Sequence, residues 1–142
     1  MALLRTTLLL ATTWLAAAAV GAESAYQLVV HPSNPVSTLQ RSEVARMFLK
    51  KVAAWPDGHP VAVIDQERTS EVRKAFSRDV HQRDADAIAN YWQTAVFSGR
   101  DVPPPIGRTD DEVLAFVRAN PGAIGYVSAA ADTVGVKVVT VR

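Results

Sequence analysis

An α/β fold, with a mostly parallel sheet flanked by helices, is what the sequence predicts for residues 26–142. Two observations carry that reading. Short apolar or β-branched runs (YQLVVH, VAVI, AIGYV and VGVKVVTV) alternate with longer segments whose apolar residues recur at helical spacing. Pro, Gly and Asn punctuate the changes from one period to the other. Strands that alternate with helices are joined by crossovers, and crossovers lay helices over the faces of a sheet.

The elements follow in order. Residues 1–22, MALLRTTLLLATTWLAAAAVGA, hold one early Arg5, an apolar stretch from Leu8 to Val20, and the small residues Val20, Gly21 and Ala22. That is the layout of a secretory signal peptide cleaved after Ala22. An uncleaved anchor fits less well, because the apolar stretch is short and alanine-rich for a span. YQLVVH reads as a buried strand, and Pro32 and Pro35 then prohibit a helix and demand a turn. In RSEVARMFLKK, Val44, Met47 and Phe48 stand at i, i+3 and i+4, and lysines close the helix in accord with its dipole. AAWPDGHP is a loop around a Pro-Asp-Gly turn that Trp55 is placed to pin. VAVI is the second strand.

A helix opening among Asp84 and Asp86 buries Ile88, Tyr91, Trp92 and Ala95, until SGRDVPPPIG stops it. That stiff loop, with Arg100 and Arg108, is a candidate edge for partner contact. TDDEVLAFVRANPG starts on a capping box from Thr109 to Glu112 and ends on Asn120, Pro121 and Gly122. AIGYV and VGVKVVTV supply the last strands, joined through SAAADT.

The segment most open to function is DQERTSEVRKAF, residues 65–76, which follows VAVI directly. It reads as a polar turn and then a helix opening on Thr69 or Ser70, with Val72, Phe76 and Val80 on one buried stripe. Such a start offers free N–H groups, the positive end of the macrodipole and a hydroxyl, which suit an oxyanion. Glu71 puts a negative charge in the same turn. Capping alone and capping with anion contact are both open for Thr69 and Ser70. Arg68 and Arg73 can complete an anion site or lie solvated on the surface.

Composition excludes several classes. Of 15 basic residues Arg5 alone lies in the leader, and 14 acidic residues face the rest, so nothing draws nucleic acid. With no cysteine, thiol and disulfide chemistry are excluded. His31, His59 and His81 fall in separate segments with no metal-ligand spacing, and no nucleophile elbow or glycine-rich phosphate loop is present. Asp65 and Glu67 form the usual polar turn after a strand. The reading is therefore not an enzyme, with no catalytic residue, no metal and no cofactor.

Several phrases together resemble a known family. VVHPSNPVSTLQRSEVARMFLKKVAAWPDG, then TSEVRKAF, then NPGAIGYV, run in order from Leu28 to Val127. They are similar to the phosphate-binding proteins of ABC transporters, a type II periplasmic binding protein family. Members have two lobes that close around an oxyanion, and the match covers the second lobe, so the resemblance implies a single periplasmic-binding-protein-like lobe. It places Ser70 on the serine of the family's anion loop and Arg73 on its arginine. Gln66 stands where the family has an upstream arginine, Glu71 where it has glycine, and Val72 where it has threonine. The implied anion site is Gln66, Thr69, Ser70 and Arg73. The implied function is a periplasmic, solute-binding-like protein that recognises phosphate or a similar oxyanion, weakly or with a partner. The alternative is a non-binding extracytoplasmic adaptor that contacts a transporter, a porin or a sensor kinase.

Overall fold

The computed structural model describes residues 24–142; the leader expected over residues 1–22 lies outside the described residues. The strands are β1 (Tyr26–Val30), β2 (Thr38–Leu39), β3 (Ala62–Val63), β4 (Asp65–Gln66), β5 (Ile106–Gly107), β6 (Ala123–Ser128) and β7 (Lys137–Val141). The helices are α1 (Arg41–Phe48), α2 (Glu71–Phe76), α3 (Ala85–Phe97) and α4 (Asp110–Ala119), and α2 runs on into a wide π-helical turn over Ser77–His81.

The α/β lobe stands as expected, but its main sheet is mixed rather than mostly parallel. The strand order is β2-β7-β1-β6-β3. The central strand β1 runs antiparallel to both β6 and β7, while β2 on β7 and β3 on β6 are parallel. The physical reason is that β6 and β7 point the same way with β1 between them. The chain from Ala129 to Val136 crosses over β1, and an apolar run carries no record of its direction or its neighbour. The connection needs no helix because it lies flat, with Ala131 and Val136 packed on the sheet.

Alternation along β1 and β6 sorts the core into two faces. Tyr26, Leu28 and Val30 with Ile124 and Tyr126 face α1 and α2, meeting Val44, Met47, Phe48, Phe76 and Val80. Phe76 stacks on Tyr126 with ring centroids 3.8 Å apart and planes 6° from parallel, which fixes α2 over β6. Val29 and Val127 face the other way, against Val113, Leu114 and Val117 of α4. Gly125 lets α4 come close there, since a Cβ would stand 2.8 Å from both Ile64 Cγ2 and Val113 Cγ1. Ile88, Trp92 and Ala95 of α3 form a smaller cluster with Leu49 and Tyr91.

The run VAVI does more than form one strand. The Ile64 N–H donates to the Ile124 carbonyl at 3.0 Å, and the next N–H, of Asp65, donates to Pro105 at 2.9 Å. The chain thus leaves β6 and pairs with β5 as a separate parallel two-stranded sheet. That switch of partner carries Asp65 and Gln66 beyond the sheet toward α2.

At the opposite end of the same segment, Trp55 donates its indole N–H to the Gly122 carbonyl at 2.9 Å, so Trp55 pins the loop before β3. A Cβ on Gly122 would overlap the Pro60 carbonyl oxygen, which is backbone and cannot swing aside. Gly122→Ala is therefore expected to cost about 2–3 kcal/mol by forcing β3 from β6. Urea denaturation of the variant beside the parent measures it, and an unchanged midpoint would show that the loop yields freely.

Candidate functional site

The residues singled out in DQERTSEVRKAF converge, but most of their polar groups face inward. Ser70 is the N-cap of α2 and accepts a hydrogen bond from the Arg73 N–H at 3.1 Å. Its hydroxyl also reaches Gln66 Oε1 at 3.5 Å. Gln66 is buried, and its amide donates to the Tyr126 carbonyl at 2.8 Å and to Asp110 Oδ1 at 3.1 Å. Asp110 in turn accepts from the Ser128 N–H at 3.0 Å and the Ser128 hydroxyl at 2.5 Å. Both amide hydrogens of Gln66 are thus committed within the protein.

Arg73 is not on the surface: it is 4 % exposed. Helical spacing puts it one position from the Val72–Phe76 stripe, and the chain has provided an acid to meet it. Arg73 Nη1 lies 2.8 Å from Asp65 Oδ1 and donates to the Gln66 carbonyl at 2.7 Å, while Nε donates to Ser77 Oγ at 3.2 Å. Asp65 accepts as well from the Tyr126 hydroxyl at 2.5 Å and the Gln66 N–H at 2.8 Å. Burial pushes the Asp65 carboxyl up, and the Arg73 charge with these donors pulls it down. Burial first, then the Asp65 charge, holds the Tyr126 phenol well above its ordinary value, so it stays a donor.

Glu71 points outward and pairs with Lys74 at 2.9 Å. Arg68 pairs with Asp86 at 3.4 Å and Arg108 with Glu67 at 3.9 Å, both on the surface, where such pairs contribute little. Arg108 therefore lies at this site, whereas Arg100 hydrogen-bonds Ser98 within its own loop.

Gln66, Thr69 and Arg73 line one wall of a cleft of about 640 Å³, and Ser70 sits directly behind them on Gln66. The facing wall is mostly apolar: Ala89, Trp92, Val96 and Phe97 of α3 with Pro103 of the following loop and Ile106 of β5, and Gln93 is its one polar side chain among the described residues. Sequence reasoning reads Trp92 as core, which it is at 6 % exposed, yet its ring also lines the cleft. The signal for this wall was in Trp92 and Val96 at i, i+4, with Phe97 continuing the apolar run after the buried stripe ends. No group of metal-ligating side chains lies among the described residues, and no helix there is long and apolar enough to cross a membrane.

No protein-family model and no curated protein matches the chain. Solved structures do. A protein assigned as a phosphate ABC transporter substrate-binding protein, with bound phosphate, from Clostridium perfringens is 25% identical with a TM-score of 0.62, over 84% of this chain and 46% of that one. An ABC-type phosphate transport receptor from Vibrio cholerae is 19% identical with a TM-score of 0.64, over 82% of this chain and 46% of its own. A possible phosphate binding protein from Planctomyces limnophilus is 14% identical with a TM-score of 0.61, over 84% and 43% respectively. The chain spans about half the length of the structures it matches, and its fold is that of one such half.

Two measurements check the buried network. Arg73→Met leaves Asp65 charged and uncompensated, so it is expected to lose about 3–5 kcal/mol, and adding Asp65→Asn should recover about half. Equal loss in the single and double variants would mean that the pair contributes nothing beyond packing. His81, edge-on to Phe76 with centroids 5.8 Å apart, is lowered to about 4 by burial first and then by the Arg73 and Arg83 charges. The unfolded chain takes up that proton near pH 6.5 and the folded one near pH 4, so stability is full above the window and falls as pH drops through it. The part that His81→Gln removes from the pH slope should be about 2–3 kcal/mol, allowing for partial exposure of the ring. Parallel slopes for parent and variant would rule His81 out.

Proposed function

We propose that the chain is a solute-binding lobe of the periplasm that recognises an oxyanion, phosphate or a similar one, weakly or together with a second surface. The observation that carries this is the convergence of Gln66, Thr69 and Arg73 on one wall of a single cleft. The fold, shared with proteins described as binding or transporting phosphate, supports the same reading. Export by the leader over residues 1–22 supplies the compartment, and a membrane transporter or sensor protein is the partner such a lobe would serve. No step calls for a cofactor or a covalent intermediate, and the balanced charge offers nothing to nucleic acid.

Within the cleft the roles divide by what is left to give. Gln66 and Ser70 are structural, since their hydrogen bonds are made inside the protein and hold the turn before α2 in place. Thr69 is exposed and offers its hydroxyl. Arg73 offers only Nη2, since Nη1 is bound to Asp65 and Gln66 and Nε to Ser77. The Asp65 carboxylate already offsets the Arg73 charge, and Glu67 stands on the rim, so the local field favours an anion only slightly. A single lobe also leaves the anion wet on its open side. Low affinity follows from both facts, and a second surface that excluded water would raise it.

Isothermal titration of the protein with inorganic phosphate and with sulfate tests this. Saturable heat with a Kd of roughly 0.1–10 mM is expected, with Thr69→Ala weaker by about tenfold, as one charge-assisted hydrogen bond of 1.5 kcal/mol or so implies. An absence of heat at 50-fold excess over that range, taken as about the detection limit, would sink the reading for the chain alone.

A further inference from the structure

The cleft beside Arg73 carries more apolar surface than an inorganic ion can use. Phe97 is 84% exposed, Val96 50% and Ile106 49%, and all three line it together with the Trp92 ring. The floor has a matching polar demand. Arg73 engages Nε and Nη1 with Ser77, Gln66 and Asp65, while its Nη2 has no hydrogen bond among the described residues. The Trp92 indole N–H is buried and has no acceptor either. No buried side-chain acceptor among the described residues lacks a partner, and the other unbonded buried donor, Arg41 Nε, lies away from this cleft beside Asp79. The α2 side therefore asks for an acceptor at Arg73, and the α3 side offers mostly hydrocarbon.

Charge decides which acceptor. Asp65 neutralises most of Arg73, and on the rim Glu67 pairs with Arg108 and Arg68 with Asp86, so neither adds a free charge. A doubly charged, fully hydrated ion would lose water against Trp92 and Phe97 and gain no net positive charge in return. A singly charged planar carboxylate asks for less, and its body can cover the exposed side chains. The geometry points to a small organic monocarboxylate with a flat or branched apolar body as the ligand of this cleft. One carboxylate oxygen accepts from Arg73 Nη2, and the body lies along Trp92, Val96, Phe97 and Ile106. The inference rests on the reading of the 66–73 segment as a ligand site and narrows the ligand from oxyanions in general to this class.

Benzoate, its neutral isostere benzamide and inorganic phosphate, each titrated calorimetrically into the full protein, test it. Benzoate should saturate, benzamide should bind at least tenfold more weakly, and phosphate should neither match benzoate nor displace it. Val96→Glu, at an exposed position that leaves folding intact, adds a like charge to the apolar wall and should weaken benzoate about tenfold. Phosphate binding without benzoate binding overturns the inference and leaves the broader oxyanion reading standing. Benzamide binding as tightly as benzoate removes the carboxylate from the argument. Benzoate unaffected by Val96→Glu moves the site elsewhere, and no heat from any of the three overturns both readings.

Discussion

One buried ion pair organises this lobe. Asp65 comes from the strand segment that leaves the main sheet, Arg73 from the first turn of α2, and Tyr126, which donates to the same carboxylate, from the sheet's most buried strand. Burying two charges is costly unless each is paired and further hydrogen-bonded. Here the Gln66 N–H and carbonyl and Ser77 supply further hydrogen bonds, which leave only Arg73 Nη2 toward the cleft. The pair thereby dictates where α2 starts, why Gln66 is turned inward, and why Phe76 lies flat on Tyr126. It also drains the cleft of positive charge. The same contact that makes the turn rigid makes it a modest anion site.

Much of this was legible in the sequence, and the part that was not has a common cause. The caps read from sequence work as caps, Ser70 on Arg73 and Thr109 on Glu112, whose carboxylate returns to the Arg108 N–H, and α3 does open at Asp84, which caps Ala87. The stripe of Val72, Phe76 and Val80 survives even the widening of α2 into a π-helical turn. These signals are local, each written within a turn or two of chain. Strand direction in the main sheet was not local, and neither was the switch of partner at Ile64, since two-residue strands such as β4 and β5 have no period to detect. Arg73 was hardest. An arginine in a helix is usually solvated, and what buries it is an acid eight residues earlier, supported by a tyrosine on a distant strand.

The likeness to phosphate-transport proteins and the chemistry of the cleft bear on different links of the argument. The fold comparison concerns how the backbone runs, over about half of each matched structure. Fold and ligand are separable, because a site is a handful of side chains carried on a scaffold. In this chain the scaffold carries the turn, the cap and the helix, while Gln66 is turned into the protein and Glu71 out to Lys74. The polar wall here is largely a structural network, and the wall across from it is mostly apolar. Side chains placed in that way decide what a cleft recognises without disturbing the sheet beneath it.

The place of β1 has a consequence in time as well as in space. Its partners are Ala123–Ser128 and Lys137–Val141, so Tyr26 waits for Ser128, and Leu28 for Val139. Chain synthesis runs from the N-terminus, and a loop of about a hundred residues must close before the centre of the sheet exists. Until the last strands emerge, the first one has nothing to pair with and the two faces of the core have no floor. High contact order of this kind slows folding. Every earlier stage of folding therefore lacks the middle of its sheet, and the last strand to be made is the one that completes the core.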